Sequence, residues 1–197
     1  APIAHVSLFA TEPSLPSASV PAPDAADAAS LRALIATAAE LPEAERAAAN
    51  GSVREIAFLN ADGNPASFSR IFSALIPDFD AATLDALFEQ DFTSFAYYDA
   101  DGAWPGYVAK LKAGVSETAA QNQIAKLEQS QSLANLYVTP PAGAASAFKD
   151  GSVGARPARY LSFATKGASL NYAWLNNHLV ISTSYNGMKA ASTLLGF

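Results

Sequence analysis

The sequence predicts an α+β fold with a mostly antiparallel sheet, helices packed on one face, and a C-terminal three-stranded meander followed by a helix. Three observations lead to this prediction. Hydrophobic residues make up 50% of the 197 residues, which is enough for a substantial core. Successive strand-like segments are joined by short turns, which favours hairpins and antiparallel pairing. The helix-like segments between them each carry one apolar face.

The first half of the chain alternates predicted strands and helices. Residues 3–10 (IAHVSLFA) alternate in polarity and predict a first strand, whereas the proline-rich residues 11–25 predict a linker or an extended surface segment. A helix is predicted for residues 24–41, where apolar side chains recur at helical spacing. Residues 52–60 (SVREIAFLN) predict a second strand, and residues 66–76 (ASFSRIFSALI) predict a short amphipathic helix that ends before a proline.

The middle of the chain predicts a helix, a hairpin and a second, longer helix. Asp80 is the predicted N-cap of the helix at residues 81–90. Residues 92–99 and 106–115 predict two strands on either side of a loop. A long helix is predicted over residues 116–137, with one narrow apolar stripe that suits packing against a sheet face.

The C-terminal part of the chain predicts the meander. A loop rich in proline and glycine covers residues 138–157. Three strands are predicted after it, at residues 158–164, 169–175 and 178–184. The pair Asn176-Asn177 suits a tight hairpin between the last two strands, because asparagine tolerates positive φ. The final helix is predicted over residues 187–197, with Ser184 or the asparagine two residues later as its N-cap.

Length and element order predict a single α+β domain over residues 1–197, and the alternative is an N-terminal extension or subdomain over residues 1–50. No stretch of about 18 apolar residues occurs, so no membrane span is predicted within this chain. The first residue is Ala1 and not methionine, which indicates a removed leader or a trimmed end. A membrane anchor upstream of Ala1 is compatible with this start.

Composition excludes several classes of function. The chain has no cysteine, which excludes disulfides, thiolate metal sites and a cysteine nucleophile. The net charge of −6 is uneven, because residues 1–101 hold 15 acidic and 4 basic side chains while residues 102–197 hold 3 acidic and 8 basic ones. This asymmetry suits contact between the two halves or head-to-tail contact with a second copy, and an ordinary solvated surface is the simpler explanation. The basic half is too thinly charged for a nucleic-acid groove, so no nucleic-acid partner is predicted.

The loop within residues 96–112 (AYYDADGAWPGYVAKLK) carries two carboxylates, Asp99 and Asp101. In an EF-hand register with the loop glycine at position six, the required ligand positions one and twelve are Tyr97 and Val108, neither of which is a carboxylate. A looser calcium site using the two aspartates is one hypothesis. A hairpin turn is the favoured one, because Asp-Gly pairs recur at two other predicted junctions and such pairs are typical of turns.

Aromatic residues cluster around the same loop. Tyr98, Trp104 and Tyr107 are of the types enriched in binding hot spots, so they are candidate interaction residues. Core packing is the alternative, since tyrosine and tryptophan also fill sheet faces. Trp104 lies in a Gly-Pro loop and is therefore the one predicted outside the core.

Catalytic motifs are weak in this sequence. SAFK at residues 146–149, TKG at 165–167 and SYN at 184–186 partly match the motifs of penicillin-recognising acyl transferases, but their order is wrong and chance matches explain them better. The only two histidines, His5 and His178, are too few for a zinc site without distant carboxylates. A hydrolase with an unfamiliar serine site is therefore the last of the functional hypotheses.

The segments DFTSFAYYD, PGYVAKLK, FKDGSV and RPARYLSFATKGASLNYAWLNNHLVISTSYNGMKAASTLLG extend over about residues 90–197. In this pattern the chain resembles uncharacterised envelope-associated proteins of candidate-phyla bacteria, in which a strand such as LVISTS runs into a helix such as NGMKAASTLL. The resemblance implies an extracytoplasmic domain, secreted or anchored in the cell envelope. It implies no catalytic residue, because no activity is established for that family.

These observations predict a non-enzymatic cell-envelope domain that acts through protein–protein contacts, with a protein partner or a second copy of itself. No cofactor is predicted. The first alternative is a small-ligand or calcium-binding module, and the second is the serine hydrolase.

Overall fold

A computed structural model describes residues 1–197 and contains one eight-stranded sheet. The strands are β1 (Ala18–Pro21), β2 (Val53–Leu59), β3 (Thr93–Asp99), β4 (Gly102–Lys110), β5 (Lys149–Val153), β6 (Arg156–Ser162), β7 (Ser169–Leu175) and β8 (His178–Ser182). The helices are α1 (Ala28–Ala39), α2 (Glu43–Arg46), α3 (Phe68–Leu75), α4 (Ala81–Leu87), α5 (Glu117–Ile124) and α6 (Tyr185–Leu194), and two 3-10 helices span Ala125–Gln129 and Leu133–Leu136. The α+β prediction is confirmed.

The strand order in the sheet is β1-β2-β3-β4-β8-β7-β6-β5. Only the edge pair β1–β2 is parallel, and every other neighbouring pair is antiparallel. The β4–β8 pair joins the N-terminal half of the sheet to the C-terminal half, from Gly106 opposite Ser182 to Lys110 opposite His178. The predicted meander β6–β7–β8 followed by a helix is confirmed, and β5 extends it by a fourth strand.

The predicted first strand at residues 3–10 is wrong, and the first strand instead lies within the predicted linker. The N-terminal segment bonds to side chains and not to a strand backbone, with the Val6 N–H donating to Asp91 Oδ2 (2.8 Å) and the Leu8 N–H donating to Thr93 Oγ1 (2.8 Å). In β1, Ala18 pairs with Ile56 of β2 at the sheet edge. Proline is tolerated there because an edge strand leaves one row of N–H groups unpaired.

The long helix predicted over residues 116–137 is broken into α5 and the two 3-10 helices. Tertiary hydrogen bonds account for the break. The Ser130 hydroxyl bonds to Asp78, and the Asn135 side-chain amide donates to the Leu75 carbonyl at the end of α3 (2.8 Å). Serine and asparagine compete for local and tertiary hydrogen bonds in this way, which weakens an α-helix that lacks strong apolar periodicity.

The predicted loop at residues 138–157 contains β5 and the start of β6. Lys149 pairs with Tyr160 and Val153 pairs with Arg156, so the hairpin is regular. Its Asp-Gly pair lies within β5 and not in a turn. The sequence KDGSV lacks the apolar alternation of a half-buried strand because β5 is an exposed edge strand.

The remaining predicted elements are confirmed, except that the strand predicted at residues 106–115 is β4 at Gly102–Lys110, because residues 102–105 of the predicted loop pair with β3. The Asp80 carboxylate accepts from the Thr83 N–H at the start of α4 (2.9 Å), and the Ser184 hydroxyl oxygen accepts from the Gly187 N–H at the start of α6 (3.0 Å). Asn176 has φ 55° in the β7–β8 hairpin. These features depend on residues close in sequence, which is why the sequence predicts them.

Helices cover both faces of the sheet, so the prediction that they pack on one face is wrong. On one face, the Tyr107 ring of β4 meets Phe72 of α3 (6.4 Å between centroids), and the Tyr98 hydroxyl of β3 donates to the Ala39 carbonyl of α1 (2.8 Å). On the other face, α6 contacts β3, β4, β7 and β8, and Phe9 of the N-terminal segment packs on Phe95 (5.8 Å). One continuous core of 52 buried hydrophobic residues includes side chains on both faces.

Candidate functional site

The β3–β4 turn forms one wall of a groove against helix α1. Residues 98–103 lie opposite the C-terminal half of α1, and Val138 and Thr139 close one end. The groove has a volume of about 800 Å³. The two aspartates predicted from the sequence therefore lie at a concave surface beside helix α1.

Asp99 organises the turn itself. Its Oδ1 accepts from the Asp101 N–H (2.9 Å), from the Gly102 N–H (3.1 Å) and from the Trp104 indole N–H (2.8 Å). An aspartate that bonds the backbone two and three residues further on is typical of a tight turn. The hairpin-turn prediction is confirmed.

Asp101 is held by a different partner. Its Oδ1 lies 2.9 Å from Lys166 Nζ, which belongs to the β6–β7 connection, and this hydrogen bond raises the pKa of Lys166. No group of three or more His, Cys, Asp or Glu side chains is arranged to hold a metal ion. Asp99 keeps one carboxylate oxygen without a protein partner, and the calcium hypothesis stays a prediction that depends on that oxygen.

The three candidate interaction residues are buried. Tyr107 is 1% exposed, Tyr98 and Trp104 are each 6% exposed, and the prediction that Trp104 lies outside the core is wrong. The β6–β7 connection covers the indole, since a Cβ on Gly167 would lie 2.7 Å from it. The alternation of β4 directs Trp104 to the sheet face that this connection covers. A contact surface near this loop must therefore consist of the rim of the groove and not of these rings.

The rim of the groove is acidic. Glu40, Asp99 and Asp101 line it together with Arg46, whose Nε donates to the Leu41 carbonyl (3.1 Å). Asp101 is neutralised by Lys166, so the excess negative charge comes from Glu40 and Asp99, neither of which makes a salt bridge. The C-terminal end of α1 also lies here, but its partial negative charge is already met by Arg54, whose guanidinium donates to the carbonyls of Ala38 (3.2 Å) and Glu40 (3.3 Å). The groove therefore favours a positively charged group through Glu40 and Asp99.

A second cluster, around His5, was missed by sequence reasoning. His5 Nδ1 lies 2.7 Å from Asp91 Oδ1, and His5 Nε2 lies 2.9 Å from Glu55 Oε1. Both ring nitrogens donate, so the ring is an imidazolium between two carboxylates. The hydrogen bonds to Asp91 and Glu55 raise the pKa of His5 to about 9. No local pattern could predict this cluster, because the two carboxylates lie 86 and 50 residues away in sequence.

Replacing His5 by alanine is expected to remove a pH-dependent part of the stability. Because folding raises the pKa of His5 from 6.5 to about 9, its stabilisation is complete below pH 6.5 and is lost as pH rises through 9. We expect the wild type to lose about 1–2 kcal/mol of unfolding free energy over this interval, since the ring stays partly solvated. Urea unfolding of both proteins at pH 6.5 and at pH 9 measures this loss. If His5→Ala lost as much unfolding free energy as the wild type between these pH values, the loss could not be assigned to His5.

The serine motifs have structural roles. Ser184 caps α6, Thr165 Oγ1 accepts from the Ala142 N–H (2.9 Å), and Ser146 is exposed in the loop before β5. Neither histidine hydrogen-bonds to a serine: His5 bonds to its two carboxylates, and the buried Nδ1 of His178 has no partner. These positions are therefore not brought together as a nucleophile and its base.

The chain matches no protein-family model, no curated protein and no solved structure. None of its helices is both long enough and apolar enough to cross a membrane.

Proposed function

We propose that this protein is a non-enzymatic binding domain of the cell envelope that contacts a basic segment of a protein partner through the groove between α1 and the β3–β4 turn. The observation that carries the proposal is the acidic rim of that groove, where Glu40 and Asp99 have no salt-bridge partner and Asp101 is paired with Lys166. The extracytoplasmic setting follows from the sequence resemblance over about residues 90–197.

Three properties of the groove support a protein partner. Its walls combine apolar side chains such as Leu41 and Val138 with carboxylates at the rim, and protein interfaces share this division into an apolar centre and a polar edge. The walls are helix α1 and a hairpin held by the Asp99 hydrogen bonds, so the surface is preformed. The basic partner can be a second copy, because residues 102–197 carry the excess of positive charge.

A small cationic ligand is the second candidate. The groove volume of about 800 Å³ lies within the range usual for small-molecule sites, and Asp99 has one carboxylate oxygen free to receive a cation. Calcium is one such cation. A melting temperature that is the same in calcium and in chelator would exclude the calcium form of this candidate.

The charge-reversal variant Glu40→Lys tests the groove directly. We expect it to weaken binding of a fluorescent arginine- and lysine-rich peptide by about three- to tenfold, and we expect wild-type binding to weaken with added salt. Glu43→Lys is the matched control, because Glu43 is exposed on the neighbouring helix α2 and does not line the groove. Equal losses in the two variants, or no loss in either, would contradict the proposed site.

Native mass spectrometry over a range of concentrations then asks whether the partner is a second copy. A dimer or ladder that grows with concentration and is reduced by Glu40→Lys would identify self-association through the groove. A monomer at every concentration would mean that the partner is a different protein and not a second copy.

A further inference from the structure

A second groove lies on the opposite face of the sheet, between α6 and strands β5, β6 and β7. It has a volume of about 390 Å³. Two tyrosines, Tyr160 and Tyr185, line it together with the uncharged polar residues Ser152, Ser162 and Asn171. No charged side chain lines this groove, in contrast to the acidic one.

The two tyrosine rings are held in place. Tyr160 lies directly over Gly151 of the neighbouring strand, where a Cβ would come within 2.9 Å of the ring. The Tyr185 hydroxyl donates to the Ser152 carbonyl (3.1 Å), and its ring is 44% exposed at the start of α6. Rigid and accessible aromatic rings are suited to stacking against a flat ligand face, with little conformational entropy lost on binding.

The floor of the groove offers hydrogen-bonding atoms without protein partners. Asn171 is only 3% exposed, and its amide nitrogen donates to the carbonyl and the hydroxyl of Ser169 (2.9 and 2.8 Å). Its Oδ1 makes no hydrogen bond and is not sealed from solvent. The hydroxyl group of Ser162 also has no side-chain partner, whereas Ser152 meets the groove through its backbone carbonyl, since strand alternation directs its side chain to the other face of the sheet. A buried amide oxygen that faces a groove needs a donor, and a ligand hydroxyl supplies one.

Three cations lie next to residues that line this groove without lining it themselves, and each is free of carboxylate partners. Lys149 pairs with Tyr160 on the same sheet face, Arg156 lies over the Phe197 ring (5.6 Å), and Lys189 lies over the Tyr185 ring (5.1 Å). These are the only three lysines or arginines of the chain whose side chains make neither a salt bridge nor a hydrogen bond. The one acid of β5, Asp150, pairs with Arg159 and is therefore already neutralised.

We propose that this groove binds an acidic oligosaccharide, with a sugar ring stacked on the tyrosines, its hydroxyls bonded to Asn171 and Ser162, and its carboxylates facing Lys149, Arg156 and Lys189. A bare phosphate fits less well, since it has no ring face to stack on the tyrosines. The groove also lacks a deep aliphatic pocket that would anchor an apolar peptide side chain. This site is independent of the acidic groove on the other face.

Nuclear magnetic resonance titration of the full chain with three short uronate oligosaccharides (galacturonate, mannuronate and glucuronate-containing) tests the proposal. We expect backbone shifts concentrated around Tyr160, Asn171 and Tyr185 with at least one of the three, at ligand concentrations up to about 10 mM. The methyl ester of the same oligosaccharide keeps the ring and removes the charge. We expect it to bind about three- to tenfold more weakly.

The double variant Lys149→Gln/Lys189→Gln is expected to weaken uronate binding by about three- to tenfold. Its matched control is Lys110→Gln/Lys126→Gln, which changes the net charge equally at positions whose neighbours, His178 and Gln123, do not line the groove, whereas Lys149 and Lys189 neighbour the lining residues Tyr160 and Tyr185. The proposal is overturned if none of the three uronates shifts the groove residues, or if both double variants weaken binding equally. It is also overturned if the first double variant abolishes self-association while uronates do not bind, because the surface would then be a protein interface.

Discussion

Replacing Phe68 by alanine is expected to destabilise the protein by about 3–5 kcal/mol. Phe68 is 1% exposed and lies at the centre of an aromatic cluster, with ring centroids 5.1 Å from Phe72, 5.1 Å from Phe88 and 5.6 Å from Phe92. Truncation leaves a cavity between α3, the end of α4 and the residue before β3. Because the three neighbouring rings are themselves packed, the cavity cannot collapse easily.

Urea unfolding measures this effect, and two variants control it. Phe68→Leu keeps most of the volume, so we expect a markedly smaller loss of unfolding free energy. Phe197→Ala removes an equal ring from a site that is 42% exposed, and we expect little change from it. If Phe68→Ala were no more destabilising than Phe197→Ala, the central role of the aromatic cluster would be refuted.

Adding a single methyl group at Gly106 is expected to lower the free energy of unfolding by about 1–3 kcal/mol, which is the second of the two largest effects. A Cβ at this position would lie 2.1 Å from Cζ of Phe95 on the neighbouring strand, closer than any real contact allows. Phe95 is completely buried and packs against Phe9, so its ring has no free space to move into. Gly106→Ala must therefore displace the ring or the strand.

A double-mutant cycle separates this steric cause from a general effect of substitution. Phe95→Leu shortens the side chain that the new methyl group meets. We expect the double variant Gly106→Ala/Phe95→Leu to be more stable than the sum of the single losses predicts, by about 0.5–3 kcal/mol. Strict additivity would mean that the two side chains do not collide.

Gly106 lies where β4 pairs with β8, the junction of the two halves of the sheet. The acidic groove belongs to the first half and to one face, and the groove flanked by cations belongs to the second half and to the other face. In the two proposals, the charge asymmetry of the sequence corresponds to two separate surfaces, one for a cationic partner and one for an anionic ligand. A defect at the junction should disturb both, whereas Glu40→Lys and Lys149→Gln/Lys189→Gln each address one.

Part of the candidate site could be predicted from the sequence. The pair Asp99 and Asp101 was found because Asp-Gly turns depend on neighbouring residues, and the turn indeed forms one wall of the groove beside α1. The burial of Trp104 was not predictable, since a connection more than 60 residues later in the chain covers it. The grooves themselves are defined by elements distant in sequence, so no motif marks them.

The amino-acid sequence alone determines the local features of this chain. Helix caps such as Asp80 and Ser184, the hairpin at Asn176, the amphipathic helix α3 and the charge of each half follow from residues within a few positions of one another. Tertiary structure alone decides where the N-terminal segment lies, where the helix over residues 116–137 breaks, and which side chains line each groove. The physical reason is that these outcomes depend on contacts such as His5 with Asp91 and Asn135 with Leu75, whose free energy exists only once distant segments have packed together.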